Sequence, residues 1–320
     1  MCGKINSVRI QDLYSCENYK NGESLSPVLD NISLCVAEGT CFGISSKDGY
    51  ETRLLCEIIA NIKPYFSGKC VLNETGMFKQ KGKILSHIYY IDNQNTLYEN
   101  MNVLEYLMFA TAPDKSENNI VVKQKNIFEM LLKAGLGYIS LSNISVLTTE
   151  EKLLVGIFAA LFAKSNIYIF DLTYYDLSDN DISILKNIIN LYSQRNKTVI
   201  IGSLQAKLIG ICCDSLTFIV NSKQRFTGTT QQLTMQADRV LYIIRHNDIE
   251  QMQESLKTAF PDYEIQRNGS ILLVMRTGTN PRDDKHFYTI LANNGITPDS
   301  IKTNRGRIQN SFEEILQYDL

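Results

Sequence analysis

Three short apolar runs decide what this chain can fold into: "CFGIS" at 41–45, "NIYIF" at 166–170 and "KTVIIG" at 197–202. Each is too short for a helix and shows no alternation of apolar and polar residues. Such a run reads as a strand covered on both faces, the pattern of a parallel sheet. The stretches between them carry apolar residues at three- and four-residue spacing. These are "TRLLCEIIANI", stopped before Pro64, then "VLEYLMFAT", "NIFEMLLKAGL" and "TEEKLLVGIFAALFA" within residues 102–165, and later "DISILKNIINLYSQ". That spacing predicts helices, the first from Thr52. "NSVRIQDL", "LDNISLCVAEG", "SGKCVLN" and "HIYYIDN" read as further strands, and "SLTFIVNSKQRFTGT" as a terminal hairpin. Strands alternating with helices predict an α/β domain with a largely parallel sheet over residues 1–235.

Near residue 236 the pattern starts afresh. "RVLYIIR" reads as a strand, "NDIEQMQESLKTAF" as a helix and "YEIQRNGSILLVMR" as a hairpin around Asn268-Gly269. "KHFYTILANNG" follows as a helix with a glycine stop, and "ITPDSIKTN" as a weak strand. The order β-α-β-β-α-β predicts a small α+β, ferredoxin-like domain over 236–320, closed by a helix at "SFEEILQY". With 320 residues the chain is long enough for both domains.

Composition removes several function classes. Lys+Arg 32 against Asp+Glu 34 gives no charge-driven affinity for nucleic acid or anionic lipid. The eight cysteines include no C-x-x-C pair and mostly sit in apolar surroundings, so they read as small core residues in a reducing compartment. Cys212–Cys213 reads as core and helix end. His87, His246 and His286 show no metal-ligand spacing, so no metal site is expected. "MCGK" matches N-terminal-cysteine enzymes at too few residues to carry weight. The start lacks the apolar segment of a signal peptide, and no apolar run approaches the ~20 residues of a membrane helix. The expected location is the cytoplasm, the alternative being peripheral attachment at the inner face of the cell membrane through a partner.

Chemistry is suggested only by "GISSKDGYETRLL", residues 43–55. It has the outline of a phosphate loop: an apolar strand end, a turn with glycine, then a helix start. A loop of the form G-x-x-x-x-G-K-[S/T] binds phosphate because its backbone N–H groups form an anion nest at a helix N-terminus, with the lysine on the phosphates and the hydroxyl on magnesium. "VLDNISLCVAEGTCFGI" leading into this loop, "SGKCVLN", "IYYIDNQNTLYENMNVLEYLMFA", "SNIYIFD", "KTVIIGS" and "CCDSLTFIVNSKQRFTGT" follow in the order and spacing of one family. Over residues 6–235 the chain resembles the nucleotide-binding domain of ATP-binding-cassette (ABC) transporters. Its C-terminal extension is similar to that of the subgroup serving antibiotic-peptide export and immunity. The resemblance implies an ABC-type P-loop NTPase-like core with a helical subdomain at about 95–150.

Set against the family's motifs, the site residues depart station by station. In the loop Ser46, Lys47, Asp48, Gly49, Tyr50, Glu51, Thr52 and Arg53, the first motif glycine is Ser46 and the second is Glu51. The lysine is Thr52 and the magnesium hydroxyl is Arg53; only the inner glycine, Gly49, is kept. A carboxylate would face a triphosphate that has lost its counter-charge. Two unit charges ~4 Å apart at an effective dielectric of ~20 interact by ~4 kcal/mol, so one attraction lost and one repulsion added together remove most of an ordinary micromolar affinity. The alternative is that Glu51 simply serves the helix N-terminus. The magnesium-sensing glutamine aligns with Asn93. The signature L-S-G-G-Q aligns with Leu147, Thr148, Thr149, Glu150 and Glu151. Asp171 keeps the magnesium-associated aspartate, or caps a turn. The general base and the switch histidine align with Leu172 and Leu204, neither of which can accept a proton.

The resemblance therefore implies a catalytically degenerate subunit, a pseudo-ATPase acting as a structural or regulatory partner. Expected partners are a transmembrane permease subunit and a second cassette in a homo- or heterodimer. ATP and Mg enter by family resemblance only. Two alternatives stay open: a cassette-fold interaction protein working without a permease, and a nucleotide sensor using Asp171 and Arg53 in altered geometry. Exposure of Tyr98, Met101 and Tyr106 would favour docking to a permease.

Overall fold

The computed structural model describes residues 6–21, 24–72, 75–76, 87–94, 96–112, 119–233, 240–268, 271–276 and 284–303. The chain forms two compact units, Met1–Thr227 and Gly228–Leu320, divided ahead of the boundary placed after residue 235.

The first unit opens with β1 (Asn6–Ser15), β2 (Asn18–Asn21), β3 (Ser24–Pro27), β4 (Ile32–Ala37) and β5 (Cys41–Ser46). Helix α1 (Tyr50–Ile59) follows, then β6 (Tyr65–Leu72), β7 (Thr75–Gly76) and β8 (Ile88–Ile91). Three helices come next: α2 (Val103–Ala110), α3 (Ile120–Ala134) and α4 (Thr149–Ala160). The remainder is β9 (Ile167–Asp171), α5 (Asp179–Gln194), β10 (Thr198–Gly202), α6 (Ala206–Cys212), β11 (Ser215–Val220) and β12 (Lys223–Thr229).

The main sheet has the order β12-β11-β5-β10-β9-β8, and β11, β5, β10, β9 and β8 run parallel. The three apolar runs are its central strands, and every residue of β5, β9 and β10 is buried. On one face Phe42, Ile44, Ile169 and Ile200 pack with Leu54, Leu55 and Ile58 of α1 and with Val8, Ile10 and Leu34 of the second sheet, β4-β1-β6-β7. On the other, Tyr168 and Phe170 meet Tyr192 of α5 edge-on, with ring centroids 4.7 and 5.7 Å apart. The Tyr192 hydroxyl donates to the Ile157 carbonyl of α4 at 2.6 Å, so a ring buried for its area also satisfies its polar tip. Each such fully buried side chain contributes about 1.5–3 kcal/mol.

Register fixes where a site can form. Gly202 of β10 pairs with Asp171 of β9 on one side and Ile44 of β5 on the other. The carboxyl ends of the three strands are therefore level, and the segments leaving them share one edge of the sheet. Helix α6 is one short element of seven residues that ends on Cys212, the helix end read from the sequence, with Cys212 and Cys213 both buried. Helix α1 begins at Tyr50 rather than Thr52. Among the described cysteines Cys16 and Cys35 are exposed, unlike the buried majority.

The second unit contains β13 (Val240–Arg245), α7 (Ile249–Ala259), β14 (Tyr263–Asn268), β15 (Ile271–Arg276), α8 (Asp284–Asn293) and β16 (Ser300–Thr303). Its sheet runs β14-β15-β13-β16 with every pair antiparallel, the ferredoxin-like arrangement. Phe287 stacks on Tyr242 at 3.8 Å and on Phe260 at 4.6 Å in its core. The helix expected at "SFEEILQY" lies outside the described residues. No helix among the described residues is long and apolar enough to cross a membrane.

Candidate functional site

The loop that leaves β5 keeps the backbone turn of a phosphate loop. Gly49 stands at the N-cap of α1 with φ 82, the left-handed region that side chains resist. A Cβ there would come within 2.6 Å of Thr173 Cγ2 and 3.3 Å of Leu204 Cδ1. Glycine is thus required by conformation and by space, and the segments after β9 and β10 close directly over the loop.

What occupies the nest is the chain itself. Ser46 Oγ accepts from Gly49 N–H at 3.2 Å and from Thr52 N–H at 3.3 Å, and it exchanges a hydrogen bond with Thr52 Oγ1 at 2.7 Å. Both residues are buried. Backbone N–H groups at a helix start are what an anion would need, because they otherwise lack partners. Here a hydroxyl already takes two of them. The side chains that might recruit phosphate are also engaged. Arg53 Nε bonds Glu57 Oε1 at 3.0 Å, and its guanidinium lies over the Tyr174 ring, 5.6 Å from the centroid. The Glu57 carboxylate first, then Tyr174, raises the Arg53 pKa further above its usual value. Tyr50 turns outward to Glu17, which also pairs with Lys63 at 2.6 Å. That contact pushes the Tyr50 hydroxyl up to about 12. Lys47 and Asp48 are exposed.

Glu51 lies in the first turn of α1, where its own N–H bonds its carboxylate. It is not an open carboxylate at a helix end: only 1% of its surface is exposed. Burial raises its pKa, its own N–H opposes the shift, the Asp48 charge adds to it, the Ser222 N–H again opposes it, and a side-chain hydrogen bond with Asp48 raises it further. Among the described residues its Oε2 has no hydrogen-bond partner.

Asp171 is buried at the end of β9, and both its oxygens are taken. Oδ1 accepts from the N–H of Thr173 at 3.1 Å and from its hydroxyl, and Oδ2 accepts from Tyr90 at 3.3 Å. Leu172 is fully buried, its N–H donating to the Gly202 carbonyl at 2.8 Å. Leu204, 40% exposed, covers Gly49. Asn93 sits in an exposed turn beyond β8, beside Gln94, whose N–H donates to Asp92. Neither leucine side chain can accept a proton.

The "LTTEE" segment is a helix start. Thr148 Oγ1 accepts from Glu151 N–H at 3.2 Å, and Glu151 Oε2 accepts from Thr148 N–H at 3.0 Å, a reciprocal capping box. Tyr138 donates to the other Glu151 oxygen at 2.9 Å. Leu147 is buried, Thr149 is exposed, and Glu150 is half-buried in the first turn. The structure thus gathers Ser46, Gly49, Thr52, Leu204 and Thr173 in one closed cluster, with Asp171 hydrogen-bonded to Thr173 and Arg53 within reach of its charge. Thr173, Tyr90 and Tyr174 belong to this cluster without any motif to announce them.

No protein-family model matches the chain. It is 23% identical over 216 residues to an uncharacterised ABC transporter ATP-binding protein of Methanocaldococcus jannaschii, spanning 68% of this chain and 77% of that protein. It is 20% identical over 207 residues to a lantibiotic transport ATP-binding protein of Streptococcus pyogenes, spanning 65% of this chain and 86% of that protein. The solved structure of cbiO1 from Clostridium perfringens, part of the ABC transporter complex cbiONQ, aligns at a TM-score of 0.57 and 16% identity, over 80% of this chain and 96% of that one. The fold is that of an ATP-binding cassette, and the relatives are ATP-binding proteins of ABC transporters.

Proposed function

We propose that this cassette-fold chain is a non-hydrolysing structural or regulatory subunit of an ABC-type transport complex, held to a transmembrane permease and paired with a second cassette. The observation that carries the reading is the Ser46 hydroxyl in the anion nest, with Gly49 N–H and Thr52 N–H already bound to it. Leu172 and Leu204 add the chemical half of the argument, since neither can take a proton from an attacking water. Lantibiotic and other ABC ATP-binding relatives support transport as the setting.

Docking is supported by the surface of α2 and the segment before it. Tyr98 is 57% exposed and Phe109 54% exposed, and their rings meet edge-on at 5.5 Å. Met101 and Tyr106 beside them are half-buried. Of the three residues expected to be exposed only Tyr98 is, so the support for docking to a permease rests on Tyr98 and Phe109.

The test is release of phosphate from Mg-ATP by the purified chain. Background rates are expected, and turnover that depends on magnesium would contradict the proposal. In the cell that makes the protein, Phe109→Asp should deplete any membrane-associated pool; an unchanged pool would remove the docking surface from the account.

A further inference from the structure

At the edge of the main sheet opposite the loop, a cavity of about 750 Å³ lies between α3 and the segments that enter β9 and β10. Five of its lining side chains are cationic: Lys123, Lys133, Lys164, Arg195 and Lys197. The one carboxylate among the described lining residues, Glu129, pairs loosely with Lys125 instead, at 3.9 Å. Lys123 is tied to the Thr111 carbonyl. Among the described residues none of the other four is ion-paired. The near-even charge of the whole chain thus hides a local excess of positive charge.

Two of these cations are held in place by neutral groups. Arg195 Nη1 donates to the Leu161 carbonyl at 3.0 Å, and Nη2 meets Met130 Sδ at 3.6 Å. The guanidinium also lies over the Phe162 ring, 5.4 Å from its centroid. Lys197, half-buried, donates through Nζ to the Ser165 carbonyl at 2.7 Å and to Asn166 Oδ1 at 3.0 Å. These contacts position both charges and neutralise neither. Burial first, then the Arg195 charge, lowers the Lys197 pKa, so the pair stands in a repulsion that an anion would relieve. The volume falls in the range of ~300–1,000 Å³ typical of small-molecule sites and exceeds what a bare inorganic anion fills. Met130 and Phe162, both half-buried, give the wall an apolar portion.

We propose that this cavity binds a small organic phosphate, its oxygens on Arg195 and Lys197 with the exposed Lys133 and Lys164 beside them, and its organic part against Met130 and Phe162. A phosphate monoester carries a charge of about −2 and three acceptor oxygens, which suits four unpaired cations better than a carboxylate does. The phosphate can belong to a free metabolite or to a lipid headgroup, and the chemistry at the cations is the same. Strand β9, five residues or ~16 Å long, separates the cavity from the loop, so the inference does not rest on the transport reading. Lys197 is charged below its lowered pKa, and an anion beside it favours that charged form. Affinity should therefore hold near neutral pH and fall as pH rises through the lowered Lys197 value. The charged groups that line the cavity with Lys197 are Lys123, Glu129 and Lys133 of α3, together with Lys164 and Arg195.

The experiment is calorimetric titration of the full chain with phenyl phosphate at low ionic strength, with benzoate as a singly charged control. Sedimentation with phosphatidylcholine vesicles that carry phosphatidic acid forms the second arm. Neither nucleotide nor magnesium is present, so the outcome is independent of what the loop binds. A saturable heat with phenyl phosphate at or below about 10 mM is expected, weakening as salt is added. Arg195→Gln and Lys197→Gln should each weaken binding about tenfold, with circular dichroism confirming that both fold. Lys133→Gln combined with Lys164→Gln changes only exposed side chains and should weaken it about threefold. Phenyl phosphate binding that falls in these variants, without vesicle binding that does so, identifies a free metabolite as the source. Vesicle binding that falls in the same variants identifies a headgroup, and both results support the site. No binding in either arm, equal binding of benzoate, or binding unchanged by all of the variants would overturn it.

Discussion

Helices α1 and α4 begin at the two stations that would meet nucleotide in a cassette, and their starts are built in opposite ways. At α4 the chain supplies an ordinary cap: Thr148 and Glu151 satisfy each other's backbone N–H, and Tyr138 holds the free carboxylate oxygen. At α1 the N-cap is a left-handed glycine with no side-chain cap, a hydroxyl reaches forward from Ser46 to take two N–H groups, and Glu51 is buried with an oxygen unmatched. One start satisfies its N–H groups with its own cap; the other satisfies two of them with a hydroxyl from the preceding strand. Residue identity and backbone geometry are therefore separate properties of these two helix starts.

Substitutions can break or sharpen that contrast. The largest effect is expected for Gly49→Ala, which forces a Cβ into the left-handed region and against Thr173. Destabilisation of about 2–4 kcal/mol should appear in urea unfolding. A loss below about 0.5 kcal/mol would mean the loop relaxes freely and its inherited turn is not required.

Glu51→Gln comes next, with the opposite sign. The folded chain holds Glu51 above its ordinary value of 4.5, so it binds that proton more tightly than the unfolded chain does. The stability this group contributes is full below about 4.5 and is lost as pH rises through the raised value. Glutamine does not ionise. The two proteins should therefore have similar stability in acid, and the variant should gain roughly 1–3 kcal/mol near neutral pH. Thermal unfolding across pH checks this, and parallel curves would show that Glu51 is not strained by burial.

The smallest effect belongs to the well-built start. Thr148→Ala removes half of the capping box and should cost about 1 kcal/mol, with little dependence on pH. An effect much larger than that would mean the "LTTEE" segment does more than begin a helix.

How much of this could be read from the sequence differs by region for physical reasons. The central strands were legible because both faces of β5, β9 and β10 are covered, so nothing polar interrupts the runs. The antiparallel order of the second unit was legible from the order of its element types. Helix α6 was legible only at its end, Cys212, since seven residues hold too little periodicity to mark its start. In the loop, residue identities told which groups were missing but not where the remaining ones point. Nothing in "SSKDGYE" says that Ser46 bends into the loop or that Glu51 is enclosed; those follow from packing by Thr173, Leu204 and Ser222, which lie far away in sequence.

The central claim is that the chain's own hydroxyl closes the anion nest. Calorimetric titration of the purified chain with Mg-ATP tests it most directly, with Ser46→Gly alongside. No saturable heat is expected for the native chain at about 1 mM nucleotide, where an ordinary micromolar site would be filled. A weak signal appearing only in Ser46→Gly would strengthen the account. Micromolar binding by the native chain would contradict it, because the nest would then have to open for phosphate despite Ser46.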